Sequence, residues 1–403
     1  MTRADILAPM NRIGLVPLAF AICTAAQAQP APRTALDVSL PAGDGFQFDR
    51  WFSGGRLAIG KDGTHYVLSY EVNPLAGARA TVSDARIDLR ALAPDGAVKH
   101  QRTLPVRQGI GHKYFSLNAT GVVVARSGDL AVFVSATDPA MMKAGRFTDA
   151  TLFRLAADLR VKKTSDIGPP DAASRKAAES FYGPEIYLPT RDNAIMLGGG
   201  YGPGPHVWWV GKYSLDGARF WQDAGRGIPE TTAAIAQRPD GSWLAVVKEM
   251  ARSPTGLDVS ARRYTIDGKL LARTRLAQIS PDAVAVILRD GIAFITSADR
   301  AARRSELIVV GDHGRTLRRA PWPFAATLSA IEDGDGIAAI VAEPGSDPAP
   351  RYVVRADAQG VVRWRSAAID ATQIVRTPDG QVAVLADAGT ERKSLRLVRY
   401  ADP

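Results

Sequence analysis

The chain has 403 residues, of which 46 % are hydrophobic and 23 % charged, enough apolar side chains to bury a large core and too many to stay disordered. Its 37 Gly and 26 Pro imply many turns but exclude a collagen-like or low-complexity chain. The formal net charge is +9 without any run of five like charges. That balance favours an acidic protein, an envelope polymer or a small anion as partner, and argues against nucleic acid.

In chain order, residues 1–28 come first. Arg3 and Arg12 precede an apolar run from Ile13 to Ala26, broken only by Pro17 and Thr24, and Ala26-Gln27-Ala28 follows. This pattern reads as a secretory signal cleaved after Ala28. The apolar run, about 14 residues, is shorter than the roughly 20 needed to span a bilayer. Cys23 is the only cysteine and follows Ile22, where a lipoprotein signal would carry a small residue. The mature chain then has no thiol, and so no disulfide, Cys-ligated metal or Cys nucleophile. No later stretch of 18 apolar residues occurs, so we expect a periplasmic or secreted protein with no transmembrane segment after cleavage, and one domain over 29–403.

After a strand-like run over 35–40, the rest of the chain is repetitive. Strand-like runs end at tight turns at Asp62-Gly63, Gly128-Asp129, Asp192-Asn193, Asp240-Gly241, Asp290-Gly291, Asp335-Gly336 and Asp379-Gly380. A second series falls between them at Asp95-Gly96, Asp158, Asp216-Gly217, Asp267-Gly268, His313-Gly314 and Gln359-Gly360. Asp-Gly and its relatives supply the positive φ of short hairpin turns. In the clearest unit, strands are expected over Ala233–Gln237, Trp243–Lys248, Val259–Ile266 and Leu270–Leu276. Four-strand units of roughly 40 to 50 residues have the period of propeller blades. Seven fit. The last unit ends after its third strand, and residues 35–40 can supply its fourth. The expectation is therefore all-β: a single seven-bladed β-propeller of four-stranded antiparallel blades, its ring closed by the N-terminal strand joining the C-terminal blade. The only helix expected is a short one over 171–183.

Two units carry a further mark. Lys212 to Trp221 and Arg355 to Trp364 each place a Trp four residues after the turn glycine, Gly217 or Gly360. This resembles the tryptophan-docking repeats of the quinoprotein-like propellers. The corresponding positions elsewhere hold His100, Ala272 and Arg318. The resemblance implies the fold and carries no activity over, because the adjacent cysteines and calcium-binding carboxylates of the quinone-dependent dehydrogenases have no counterpart. The cofactor is unknown.

Turns joining strands one to two and three to four share one face of a blade, and long insertions fall on the other, where binding groups often sit. Two such loops are candidates for ligand binding. One holds His112, Lys113 and Tyr114. The other is the glycine-rich run 198–206, with Tyr201 and His206. On the tight-turn face, the innermost strands of six units end in Lys61, Arg126, Arg191, Arg238, Arg289 and Arg376, with Glu332 the only exception. Converging strands would set six cations around one channel mouth, able to hold an anion; alternatively each pairs with the Asp of its own turn or of a neighbouring blade. The five histidines lack His-x-His or His-Glu-x-x-His spacing, so no dedicated metal site is expected. Two functional readings stay open. The first is a binding or scaffold protein of the cell envelope. The second is a propeller hydrolase of the lactonase or phosphodiesterase kind, with or without an assisting metal, with its site at the channel mouth.

Overall fold

The computed structural model describes residues 30–48, 55–74, 85–105, 116–137, 150–167, 186–201, 207–225, 231–250, 257–277, 279–280, 282–299, 304–343, 349–387 and 392–403. Among these there is no helix, and the expected helix over 171–183 lies outside them. The strands form seven antiparallel sheets, each a blade. The innermost strands of blades one to seven are Gly55–Ile59, Ser116–Val124, Ile186–Pro189, Thr231–Gln237, Val284–Leu288, Ala326–Asp333 and Ala371–Arg376. Each touches the next, and the seventh touches the first, so the ring is closed. The fourth strand of blade seven is Arg33–Pro41, paired antiparallel with Ser394–Ala401 around one bulge between Thr34 and Leu36, as expected from the sequence. In blade four the strands are Thr231–Gln237, Trp243–Met250, Leu257–Tyr264 and Leu270–Arg275. Blade one builds its inner edge in two pieces, because Gln47–Phe48 pairs with the same second strand, His65–Val72, beyond Gly55–Ile59.

Burial explains the composition of each strand. The second strands His65–Val72, Gly336–Ala342 and Val382–Asp387 are buried almost throughout, since neighbouring blades cover both of their faces. Outermost strands are mostly exposed, as in Val98–Leu104 and Leu270–Arg275. The core is seven clusters rather than one. Each joins two consecutive blades, from Leu89, Val132 and Phe153 between blades one and two to Leu57, Val67, Leu385 and Leu397 between blades seven and one.

Eleven of the thirteen tight turns use one hydrogen-bond pattern: residue i donates its N–H to the carbonyl of i+4 and accepts from the N–H of i+3. This is a type I turn closed by a residue with positive φ, which favours glycine. Nine turns have Gly at that position, while blade two uses Leu159 (φ 67°) and blade three Asn193 (φ 62°). Leu159 is buried among the cores of blades one and two, and the Asn193 carboxamide accepts the Ser127 N–H of blade two at 2.9 Å. The remaining two turns are shorter. In blade six Asp333 pairs with Gly336, so the positive φ falls on Gly334 rather than on Gly336, as the Asp335-Gly336 reading had it.

The outermost strand of each blade docks on the outer turn of the next. Trp221 donates to the Ile266 carbonyl at 3.2 Å and Trp364 to Asp402 at 2.8 Å. Where the tryptophan is missing, the docking residue is not His100, Ala272 or Arg318 but the one two positions further on. Arg102, Ser165 and Thr274 donate to the carbonyls of Leu159, Asp216 and Asp312 at 3.2, 2.8 and 3.4 Å, and Ala320 rests near Gly360. Residues two apart share a strand face, so a small side chain can take over from a large ring. At the closing junction Val38 of the N-terminal strand covers Gly96.

These contacts separate two costs at a turn glycine. Gly241 and Gly268 both have φ +85°, but a Cβ on Gly241 would meet nothing within 4 Å, whereas one on Gly268 would lie 2.3 Å from the Trp221 ring. Gly241→Ala should lose about 1–2 kcal/mol from backbone strain alone. Gly268→Ala should lose roughly 1–3 kcal/mol more through the clash. Urea unfolding of the two variants measures the difference.

Candidate anion-binding mouth

The chain leaves each innermost strand on the same face, so the first-turn cations and carboxylates of all blades gather about one channel mouth. The carboxylates turn outward along their own blades. Asp129 accepts from Arg154 at 2.8 Å and Lys162 at 2.6 Å, Asp192 from Lys212 at 2.5 Å, and Asp240 from Arg263 at 2.5 Å, while Asp333 pairs with Arg355. Burial raises the pKa of Asp129, but hydrogen bonds from Lys162 and Arg154 hold it below the usual range. The Ser242 hydroxyl and N–H, with Arg263, hold Asp240 at about 2. Sequence reasoning missed these third-strand cations. Their signal was periodic: Arg154, Lys212, Arg263 and Arg399 each oppose the residue three places after the positive-φ turn residue.

The inner cations reach sideways instead. Arg126 donates to the Arg191 carbonyl at 2.9 Å, Arg191 to the Pro239 carbonyl at 3.2 Å, and Arg238 to the carbonyls of Leu288 and Arg289 at 2.7 and 3.1 Å. Guanidinium groups thus link blades two to five head to tail through neutral oxygens. Arg238 is buried and also pairs with Asp312 of blade five, and Arg376 lies 3.3 Å from Asp333 of blade six. Lys61, Arg126, Arg191 and Arg289 have no carboxylate partner among the described residues. Three of the four belong to blades one to three. On the opposite side, desolvation raises the Glu332 pKa, with Arg376 and Arg238 opposing and Asp290 and Asp333 adding to the shift. The positive side of the mouth is therefore that of blades one to three.

Two charged clusters lie elsewhere. In blade one the fully buried Glu71 accepts from Arg86, Arg90, Ser69 and the Gly43 N–H, while Asp88 accepts from Gln101 and Thr103. This network ties the segment after the closing strand to blade one. Between blades seven and one, His65 is fully buried and neither ring nitrogen has a partner at hydrogen-bond geometry; Arg399 Nε and Gln381 Oε1 are also buried and unpartnered. Among the described residues no group of three His, Cys, Asp or Glu side chains is placed to hold a metal. Of the loop candidates, His112, Lys113, Tyr114 and His206 lie outside the described residues. Tyr201 ends the strand Ala194–Tyr201, paired with Val207.

Burial, then the nearby Arg399 charge, lowers the His65 pKa, with the Ala93 carbonyl and Asp379 opposing. The folded state therefore takes up this proton at lower pH than the unfolded chain, whose reference is about 6.5. This contribution to stability is full above that value and is lost as pH falls from there through the folded pKa. Urea unfolding between pH 7.5 and 5.5 should show stability falling, and His65→Leu should flatten that part of the profile.

No family model matches the chain, and no curated protein matches it. Solved structures share its fold. The β-propeller domain of the Trilobed protease from Pyrococcus furiosus aligns with a TM-score of 0.50 at 9 % identity, covering 87 % of this chain and 94 % of that one. A protein of unknown function from Dyadobacter fermentans aligns with a TM-score of 0.51 at 11 % identity, covering 93 % and 100 %. Pyrococcus horikoshii acylaminoacyl peptidase aligns with a TM-score of 0.50 at 10 % identity, covering 86 % of this chain and 51 % of that one. At these identities the likeness is one of fold alone: the chain is a seven-bladed β-propeller.

Proposed function

We propose that the protein is a non-catalytic binding module of the cell envelope that engages an acidic partner or small anion through the channel mouth on the side of blades one to three. The observation that carries this reading is the division of charge at the mouth. Third-strand cations take the turn carboxylates, whereas Lys61, Arg126 and Arg191 lean on neutral carbonyls or on nothing described. A guanidinium held by a carbonyl keeps its charge and its remaining N–H groups, a geometry suited to carboxylate or phosphate oxygens. Envelope location rests on the signal-like residues 1–28. The docking of Trp221 and Trp364 supports placing the repeat with the tryptophan-docking, quinoprotein-like propellers.

Calorimetric titration with citrate, pyrophosphate and an oligo-aspartate peptide tests the reading. Binding should weaken steeply with salt. The double variant Arg126→Gln/Arg191→Gln should weaken it by about tenfold or more, as expected for loss of two charge-assisted contacts, and Glu332→Gln should strengthen it. Absence of binding in 50 mM salt would overturn the proposal, as would turnover of lactone or phosphodiester substrates at the same mouth.

A further inference from the structure

We propose that the outer circumference of the ring is a second surface, separate from the mouth, that docks an acidic polysaccharide. The seven outermost strands together hold twelve Lys and Arg against three Asp and no Glu. The difference is nine positive charges. Every blade contributes at least one of these cations. Most are exposed, including Lys99, Lys163 and Arg273. Turn chemistry places the abundant Asp residues at the faces, and burial excludes charge from most second-strand positions. The outermost strands thus carry a belt of unbalanced positive charge around the rim, continued on the third strands and distinct from the cations at the mouth.

Four belt cations lean on carboxylates of their own blades: Arg275 on Asp258, Arg319 on Glu306, Arg363 on Asp335 and Arg365 on Glu343. Mostly exposed pairs of this kind contribute little to stability, so their cations can turn to another anion at small cost. The belt also presents apolar side chains. Val98, Phe220, Leu271 and Leu317 stand 55, 62, 53 and 54 % exposed on the outermost strands of blades one, three, four and five. The buried Lys212 ammonium, which Asp192 holds, lies 5.8 Å from the centre of the Phe220 ring and leaves Phe220 itself exposed.

This combination favours a polysaccharide over other anions. A flat lipid surface meets a cylindrical rim at only one or two blades, whereas the cations are spread over seven. A linear polymer can follow the curve. Exposed aromatic and aliphatic side chains offer contacts for sugar C–H faces, with carboxylates left for the cations.

The test uses immobilised polygalacturonate, with neutral dextran and polyphosphate for comparison. The protein should bind polygalacturonate in 50 mM salt and ignore dextran, and affinity should fall about tenfold or more by 200 mM as counterions are released from the polyanion. The triple variant Lys99→Glu/Lys163→Glu/Arg273→Glu, all exposed positions, should lose at least about tenfold in affinity, as expected of a charge-driven surface, with its melting temperature preserved. Phe220→Ala should weaken polygalacturonate more than polyphosphate. Arg126→Gln/Arg191→Gln should leave polygalacturonate binding intact, which keeps this proposal separable from that for the mouth. Any of four results would overturn it: no binding, equal affinity for dextran, loss through the mouth variant instead of the belt variant, or retention of a folded acidic protein in place of the polymer.

Discussion

Burial of one sheet face against the next is the interaction on which the molecule depends. A four-stranded sheet with two apolar faces cannot shield itself from water, and here each sheet is covered by two others. Seven apolar clusters, one at every junction, replace a single central core. The seventh junction needs both ends of the chain, because Arg33–Pro41 completes the blade that Ser394–Ala401 leaves unfinished. There the Gln373 carboxamide adds a small bridge, accepting the Leu57 N–H at 2.5 Å and donating to the Leu57 carbonyl at 3.2 Å. A side chain thus imitates strand pairing between two inner strands that are not in one sheet.

The outer turns give this packing its direction. A turn glycine without a Cβ lets the outermost strand of the previous blade approach closely, through Trp221 over Gly268, Ser165 over Gly217 and Val38 over Gly96. The same glycines supply positive φ for the hairpins, so one residue type serves local geometry and blade docking together. Large and small docking residues meet the same constraint, and only two junctions therefore use tryptophan.

Charge follows from the same radial arrangement. Aspartates are drawn to the turns by their ability to cap backbone N–H groups, and the third-strand cations that neutralise them stand on the same blade. Inner cations are displaced sideways onto the carbonyls of the next blade, which couples adjacent blades at the mouth. Arg238 illustrates the crowding: it serves two carbonyls and one carboxylate of blade five at once.

Periodicity in the chain alone determined the blade number, the strand count, the turn positions and the closing strand, because each is a local pattern repeated until it becomes unmistakable. Local spacing also marked where the inner strands turn, although of the six cations only Arg376 ends its strand; Arg238 and Arg289 follow theirs by one residue, and Lys61, Arg126 and Arg191 by two. It placed the two shorter turns one residue late, because cross-strand pairing of Leu288 with Gly291 and of Asp333 with Gly336 puts them at Arg289-Asp290 and Gly334-Asp335 rather than at Asp290-Gly291 and Asp335-Gly336. It looked for docking four residues after each turn, whereas three-dimensional proximity allows the sixth as well. Which carboxylate meets which cation, and the isolation of His65 beside Arg399, belong to the tertiary structure alone. Those partners stand on different strands or blades, and separation along the chain carries no record of distance across a ring.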